Sequence, residues 1–184
     1  SFDAPLPGTL NVALFYNELS DQQLQVGYSS STGEAAFTTG IVNAGASTIQ
    51  GAELETTLEL YEGLMFSLSY TYLDTELDET ELPQIAPGSP YDEVTGFMEA
   101  GSELTFSPDH TVTAALNYRL PLPADVGDVS FGASYTYMDD QLAIVSTYGW
   151  LDSRKLLDLN ANWKGIAGSG FDVSLFATNV TDEE

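Results

Sequence analysis

The chain has 184 residues, 43% of them hydrophobic, with 28 acidic side chains against 4 Lys and Arg and a net charge of -24. Such a charge repels polyanions, which excludes nucleic acid as a partner; the absence of cysteine excludes a disulfide framework, a thiolate nucleophile and a cysteine-bound zinc. No apolar run reaches the roughly 18 residues of a transmembrane helix, and "SFDAPLPGTL" has neither the basic region nor the apolar core of a signal peptide, so the start reads as processed or internal to a longer chain.

Along the chain the dominant signal has period two, the side-chain period of a strand. The first apolar frame is Leu10, Val12, Leu14, Tyr16. The next is Ala52, Leu54, Thr56, Leu58, Leu60, followed across "EG" by Leu64, Phe66, Leu68, Tyr70, Tyr72. Then come Val112, Ala114, Leu116, Tyr118, Leu120, and Val129, Phe131, Ala133, Tyr135, Tyr137. Leu157, Leu159, Ala161, Trp163 and Phe171, Val173, Leu175, Ala177 complete the set, in which Thr56 is the one polar member. The interleaved positions are mostly small, polar or acidic, including Glu53, Glu55, Ser67, Ser69, Gly132, Ser134, Asp158 and Asn160.

A soluble sandwich also alternates, so alternation does not by itself name the solvent on each face. Three further features point to lipid. A water-facing surface mixes in lysine, and these strands have almost none. The links alternate between short (Glu62-Gly63, Pro121 to Asp128, Gly165 to Gly170) and long (Leu73 to Glu103, Asp139 to Ser153), the habit of outer-membrane barrels. Finally, "FSLSYTYLD" (Phe66 to Asp74) recurs as "FGASYTYMD" (Phe131 to Asp139), ending two strands in paired tyrosines and an aspartate. Tyr70, Tyr72, Tyr135 and Tyr137 thus mark one membrane interface, and Tyr118, Trp163 and Phe171, beside the short turns, mark the other. The expected fold is all-β, an antiparallel transmembrane barrel section. Seven spans are odd, and a barrel closes with an even number, so the chain reads as a portion of something larger.

"GTLNVALFYNELSDQQLQ", "STIQGAELETTLEL" turning into "LMFSLSYTYLD", "SPDHTVTAALNYRLPLP", and "LLDLNANWKG" followed by "VSLFATNVTDEE" together resemble the C-terminal barrel portion of TonB-dependent outer-membrane receptors. The resemblance covers nearly the whole chain. It implies about seven strands of a 22-stranded barrel in the outer membrane of a Gram-negative bacterium, with a plug domain in the lumen. It also implies import of a scarce nutrient such as a ferric siderophore, cobalamin or a glycan, driven by the TonB complex acting through the plug. Residues 1–184 would then be a partial barrel domain without plug or final strand. Its partners would be lipid and lipopolysaccharide outside, and the plug and remaining strands of the parent protein. A passive porin-like channel and a secreted acidic β-sandwich adhesin are the alternatives.

Catalysis finds little support. His110 is the single histidine, and Ser107 and Asp109 beside it cannot form a triad on one strand. Asp74, Glu76 and Asp78 would share a face if their strand continues above the membrane, and oxygen clusters of this kind bind calcium; a solvated acidic loop, with no cofactor, is the plainer reading. Glu53, Glu55, Glu59 and Asp158 are placed in the lumen, facing water or a basic plug surface. For ligand stacking the candidates are the outer-loop aromatics Tyr91, Phe97, Tyr148 and Trp150.

Overall fold

The computed structural model describes residues 7–144 and 149–183. In chain order its strands are β1 (Gly8–Ser29), β2 (Thr38–Tyr61), β3 (Leu64–Thr80), β4 (Glu93–Thr95), β5 (His110–Arg119), β6 (Asp128–Met138), β7 (Gln141–Ile144), β8 (Gly149–Leu151), β9 (Arg154–Lys164) and β10 (Val173–Ala177). The seven alternating frames fall one to each of β1, β2, β3, β5, β6, β9 and β10; the three short strands lie in the long links. One antiparallel sheet runs β10-β9-β6-β5-β3-β2-β1-β4, and β7 and β8 form a separate hairpin. Besides strands, Ile166–Gly168 makes a single 3-10 turn in the glycine-rich link.

Residues directly opposed in a ladder share a face, so register decides whether the apolar frames agree with one another. Leu10, Val12 and Leu14 oppose Thr56, Leu54 and Ala52, which in turn oppose Leu68, Tyr70 and Tyr72. Leu68 continues through Ala114, Tyr135 and Leu157. One row nearer the short turns, Phe66 continues through Leu116, Ala133, Leu159 and Ala177. Six pairings therefore put all seven frames on a single face and the interleaved residues on the other. Among the described residues no second sheet or helix covers the apolar face: Leu14 is 80% exposed and Leu175 68%. So wide a bare apolar surface is incompatible with water and fits hydrocarbon.

The short turns gather at one end. Gly63 turns β2 into β3 with φ of 77°, and a Cβ there would lie 2.5 Å from the Arg119 carbonyl oxygen, so only glycine fits. At the other end β1 and β2 run on for 22 and 24 residues in all. This is far beyond the frames Leu10–Tyr16 and Ala52–Leu60, because water above the membrane still permits a paired hairpin. Among the described residues the one packed core also lies there: Leu24, Leu77, Met98, Leu104 and Leu142, with Ile49 against them. Segment 98–109 is laced to β3, with the Leu77 N–H donating to the Ser102 carbonyl at 2.9 Å, Gly101 to Leu77 at 2.8 Å and Leu73 to Asp109 at 2.9 Å. Phe106 N–H donates to the Leu142 carbonyl at 2.8 Å, tying in the β7–β8 hairpin.

Candidate functional site

The site is the long-loop end of the sheet, and the tyrosine row is its lower boundary. The rings lie on the apolar face, and the hydroxyls of Tyr16, Tyr70 and Tyr137 find polar partners. Tyr16 Oη donates to the Glu18 carboxylate at 2.8 Å, Tyr137 Oη donates to Asp139 at 3.0 Å, and Tyr70 Oη bonds with His110 Nδ1 at 3.0 Å. His110 lies between Tyr70 and Tyr72, with ring centroids 6.0 and 5.3 Å away. It is an interface residue, remote from any triad: Ser107 Oγ donates instead to the Thr105 carbonyl at 3.3 Å. At the short-turn end Trp163 Nε1–H donates to the Val126 carbonyl at 2.9 Å, and Tyr118 lies in register between Leu64 and Phe131. Phe171 is exposed in the turn before β10.

Above the tyrosine row both faces change character. The face that was apolar becomes acidic, because Glu18 follows Tyr16, and Asp74, Glu76 and Asp78 follow Tyr72 at alternate positions of β3. The face that was polar becomes apolar: Thr75 and Leu77 are buried there, with Leu24 and Leu77 meeting over Gly45. Asp74 accepts from the Gln50 amide and Asp78 from the Thr48 hydroxyl, both at 2.8 Å, while Glu76 is exposed. Among the described residues no three His, Asp or Glu side chains gather to hold a metal ion.

The loops build over the inward face. Asp92 accepts from the Ser31 hydroxyl and, at 2.8 Å, from the Ser31 N–H, which hold its carboxyl below the ordinary range and clamp the loop after β3 to the β1–β2 hairpin. Glu103 is held above its ordinary range, first by partial burial and then by repulsion from Asp109, Asp140 and Asp74. Tyr91 tilts against Tyr28 at 6.0 Å and lines a recess of about 280 Å³ with Tyr28, Thr38 and Ile85. Neither Phe97 nor Trp150 lines that recess. Phe97 is half-buried beside the core residue Met98, Trp150 is exposed on β8 opposite Leu142, and Tyr148 lies outside the described residues. Nothing local in the chain marks Tyr28 or Ser31, whose roles arise from contacts distant in sequence.

On the inward face of the spanning part, Glu53, Glu55 and Glu59 line β2 and Asp158 lies on β9. Glu55 borders a polar recess of about 260 Å³ with Asn11, Thr57, Ser67, Ser69 and Thr113. Asp158 accepts the Asn179 N–H at 2.8 Å, so this carboxylate is engaged in turning the chain after β10.

An antiparallel sheet that is apolar outside, polar inside and girdled by aromatics at both ends is a section of outer-membrane-type barrel wall. Residues 3–180 match the family described as TonB dependent receptor-like, beta-barrel, and the chain belongs to that family. In structure it is similar to the ferric yersiniabactin uptake receptor FyuA from Yersinia pestis, with a TM-score of 0.68 at 16% identity over 95% of this chain and 22% of that one. It is likewise similar to the siderophore receptor PiuA from Acinetobacter baumannii, with a TM-score of 0.67 at 23% identity over 95% of this chain and 22% of that one. The chain thus spans about a fifth of the length of either receptor. No curated protein sequence matches it.

Proposed function

We infer that the chain is the barrel portion of a receptor in the outer membrane of a Gram-negative bacterium, and that this receptor actively takes up a scarce nutrient. A ferric siderophore is the favoured cargo, since both structural relatives are receptors for such compounds; cobalamin and glycans are the other classes. The observation that carries the reading is the reversal of polarity across the tyrosine row, which suits a wall standing in lipid with a folded, water-exposed mouth above it. In this reading the outer loops around Tyr28, Tyr91, Phe97 and Trp150 contribute to capture, and the Glu53, Glu55 and Glu59 face looks onto a plug carried elsewhere in the receptor and coupled to the TonB complex. Lipid and lipopolysaccharide surround the apolar face.

Uptake assays in cells lacking the full receptor test this. Loss of accumulation of labelled iron siderophore, cobalamin or glycan, matched by an equal loss in TonB-deficient cells carrying the receptor, is the expected result. Unchanged accumulation of all three, or TonB-independent permeation of small hydrophilic solutes through the receptor, would overturn it.

A further inference from the structure

The recess shared by Tyr28 and Tyr91 stands on the inward face of the β1–β2 hairpin: Tyr28 lies in the frame of the buried Val26, and its ring covers Gly40, the partner of Val26 in β2. The two phenol rings and the Ile85 side chain give it apolar walls, while Thr38, Gln84 and Ser89 supply hydroxyls and an amide. Ser89 Oγ accepts the Tyr91 N–H at 3.1 Å, which steadies the second ring. Among the described residues no charged side chain lines this recess.

Around it the charge is of one sign. The basic residues of the chain are Arg119, Arg154, Lys155 and Lys164. Arg119 and Lys164 belong to the short-turn end, where Arg119 pairs with Asp128. Arg154 and Lys155 open β9, with the Lys155 ammonium 6.0 Å from the centroid of the Tyr137 ring. Between β9 and β2 stand β6, β5 and β3. At about 4.8 Å per strand these cations are roughly 19 Å away, well beyond the screening length of about 8 Å in physiological salt. Acids are close instead: Glu81 lies just ahead of Gln84 in the chain, and Asp92 and Glu93 directly follow Tyr91. Further along loop 81–109, Glu103 is raised first by burial and then by repulsion from Asp109, Asp140 and Asp74, the mark of acids without counter-charges.

An iron(III) chelate that meets such a mouth is sorted by its charge. Hydroxamates give the iron one anionic oxygen each, so a trihydroxamate complex is neutral, or cationic where the chelator keeps an ammonium group. Catecholates give two phenolates each, so a tris-catecholate complex is strongly anionic. Phenol rings can stack on either, and the surrounding field decides between them. We propose that the cargo is a ferric trihydroxamate, seated with an aliphatic arm against Tyr28 and Tyr91 and its amide groups on Gln84 and Thr38, and that the acidic mouth excludes ferric tris-catecholates. This rests on the reading of the chain as part of a ferric siderophore receptor.

Quenching of tryptophan fluorescence in the full receptor in detergent, with a ferric trihydroxamate bearing one ammonium and a ferric tris-catecholate as probes, tests the proposal. The trihydroxamate should bind at least about tenfold more tightly at low salt, and the gap should narrow as salt screens the mouth. Glu81→Lys, at an exposed position, should strengthen tris-catecholate binding at least about threefold. Tyr91→Ala should weaken trihydroxamate binding at least about tenfold, while Tyr91→Phe, which keeps the ring, should stay within about twofold of the parent. Tighter binding of the tris-catecholate, a gap indifferent to salt, an unchanged tris-catecholate affinity in Glu81→Lys, or full trihydroxamate affinity in Tyr91→Ala would overturn the proposal and leave the receptor reading intact. Binding of neither chelate would remove both.

Discussion

The same sheet is built by opposite rules below and above its tyrosine row. Below, Leu68 and Ala133 face outward and Ser69 and Ser134 inward; above, Glu76 faces outward and Leu77 inward, where it is fully buried. β3 runs from Leu68 to Leu77 without a break in register, so along it the difference lies in the solvent. Hydrocarbon demands apolar side chains on the outer face and leaves the inner face to water or protein, whereas water outside demands charge and lets a core form within.

Substitutions at matched positions break or sharpen this contrast. The largest effect is expected from Leu77→Ala in the full receptor, about 2 to 5 kcal/mol from lost burial and the cavity left behind. Proteolysis should then cut within segment 81–109 while the spanning barrel stays intact. Next, Leu68→Arg should cost about 2 to 4 kcal/mol in a folding titration into vesicles, and Ser69→Arg, one residue along on the inward face, far less. Equal costs at the two positions would deny that the faces meet different solvents. Gly63→Ala should cost more than about 1 kcal/mol, because the left-handed turn beside the Arg119 carbonyl has no room for a methyl group.

Acid should produce the smallest and most local effects, of opposite sign at two carboxyls. The folded pKa of Asp92 is depressed, so its clamp on Ser31 is fully present above the ordinary value of 3.8 and is lost as pH falls through the folded value. Glu103 has a raised folded pKa, so its charged form disfavours the folded loop at neutral pH, and that penalty is relieved as pH falls toward the ordinary value of 4.5. Glu103→Gln should therefore slow loop proteolysis at neutral pH and lose its advantage in acid, while Asp92→Asn should speed proteolysis at neutral pH and matter less in strong acid.

The spanning half was legible in the sequence because lipid enforces period two on every strand, and because Tyr70, Tyr72, Tyr135 and Tyr137 are followed by Asp74 and Asp139. The outer half was not. Leu24 and Val26 fall in the same even-numbered frame as Leu10 to Tyr16, which would place them outward. The irregular register around Asp21, whose φ is 54°, and again near Gly45 turns them inward, where both are buried and Leu24 meets Leu77. The extension of β1 and β2 beyond the membrane was hidden for the same reason. The short strands β4, β7 and β8, of three or four residues, are held by contacts remote in the chain. Among the ligand candidates, Tyr91 acquires its setting from Tyr28, which no local pattern pairs with it.

The central claim is that hydrocarbon touches the Leu, Ala and Tyr face as far up as Tyr72 and water begins at Asp74. Spin labels on single cysteines at Leu68, Ser69, Ala133 and Glu76 of the full receptor in bilayers test it through collision with oxygen, which concentrates in lipid, and with a water-soluble nickel chelate. Labels at Leu68 and Ala133 should respond to oxygen alone and the label at Glu76 to nickel. A label at Leu68 or Ala133 that meets nickel, or is shielded from both, would contradict the account.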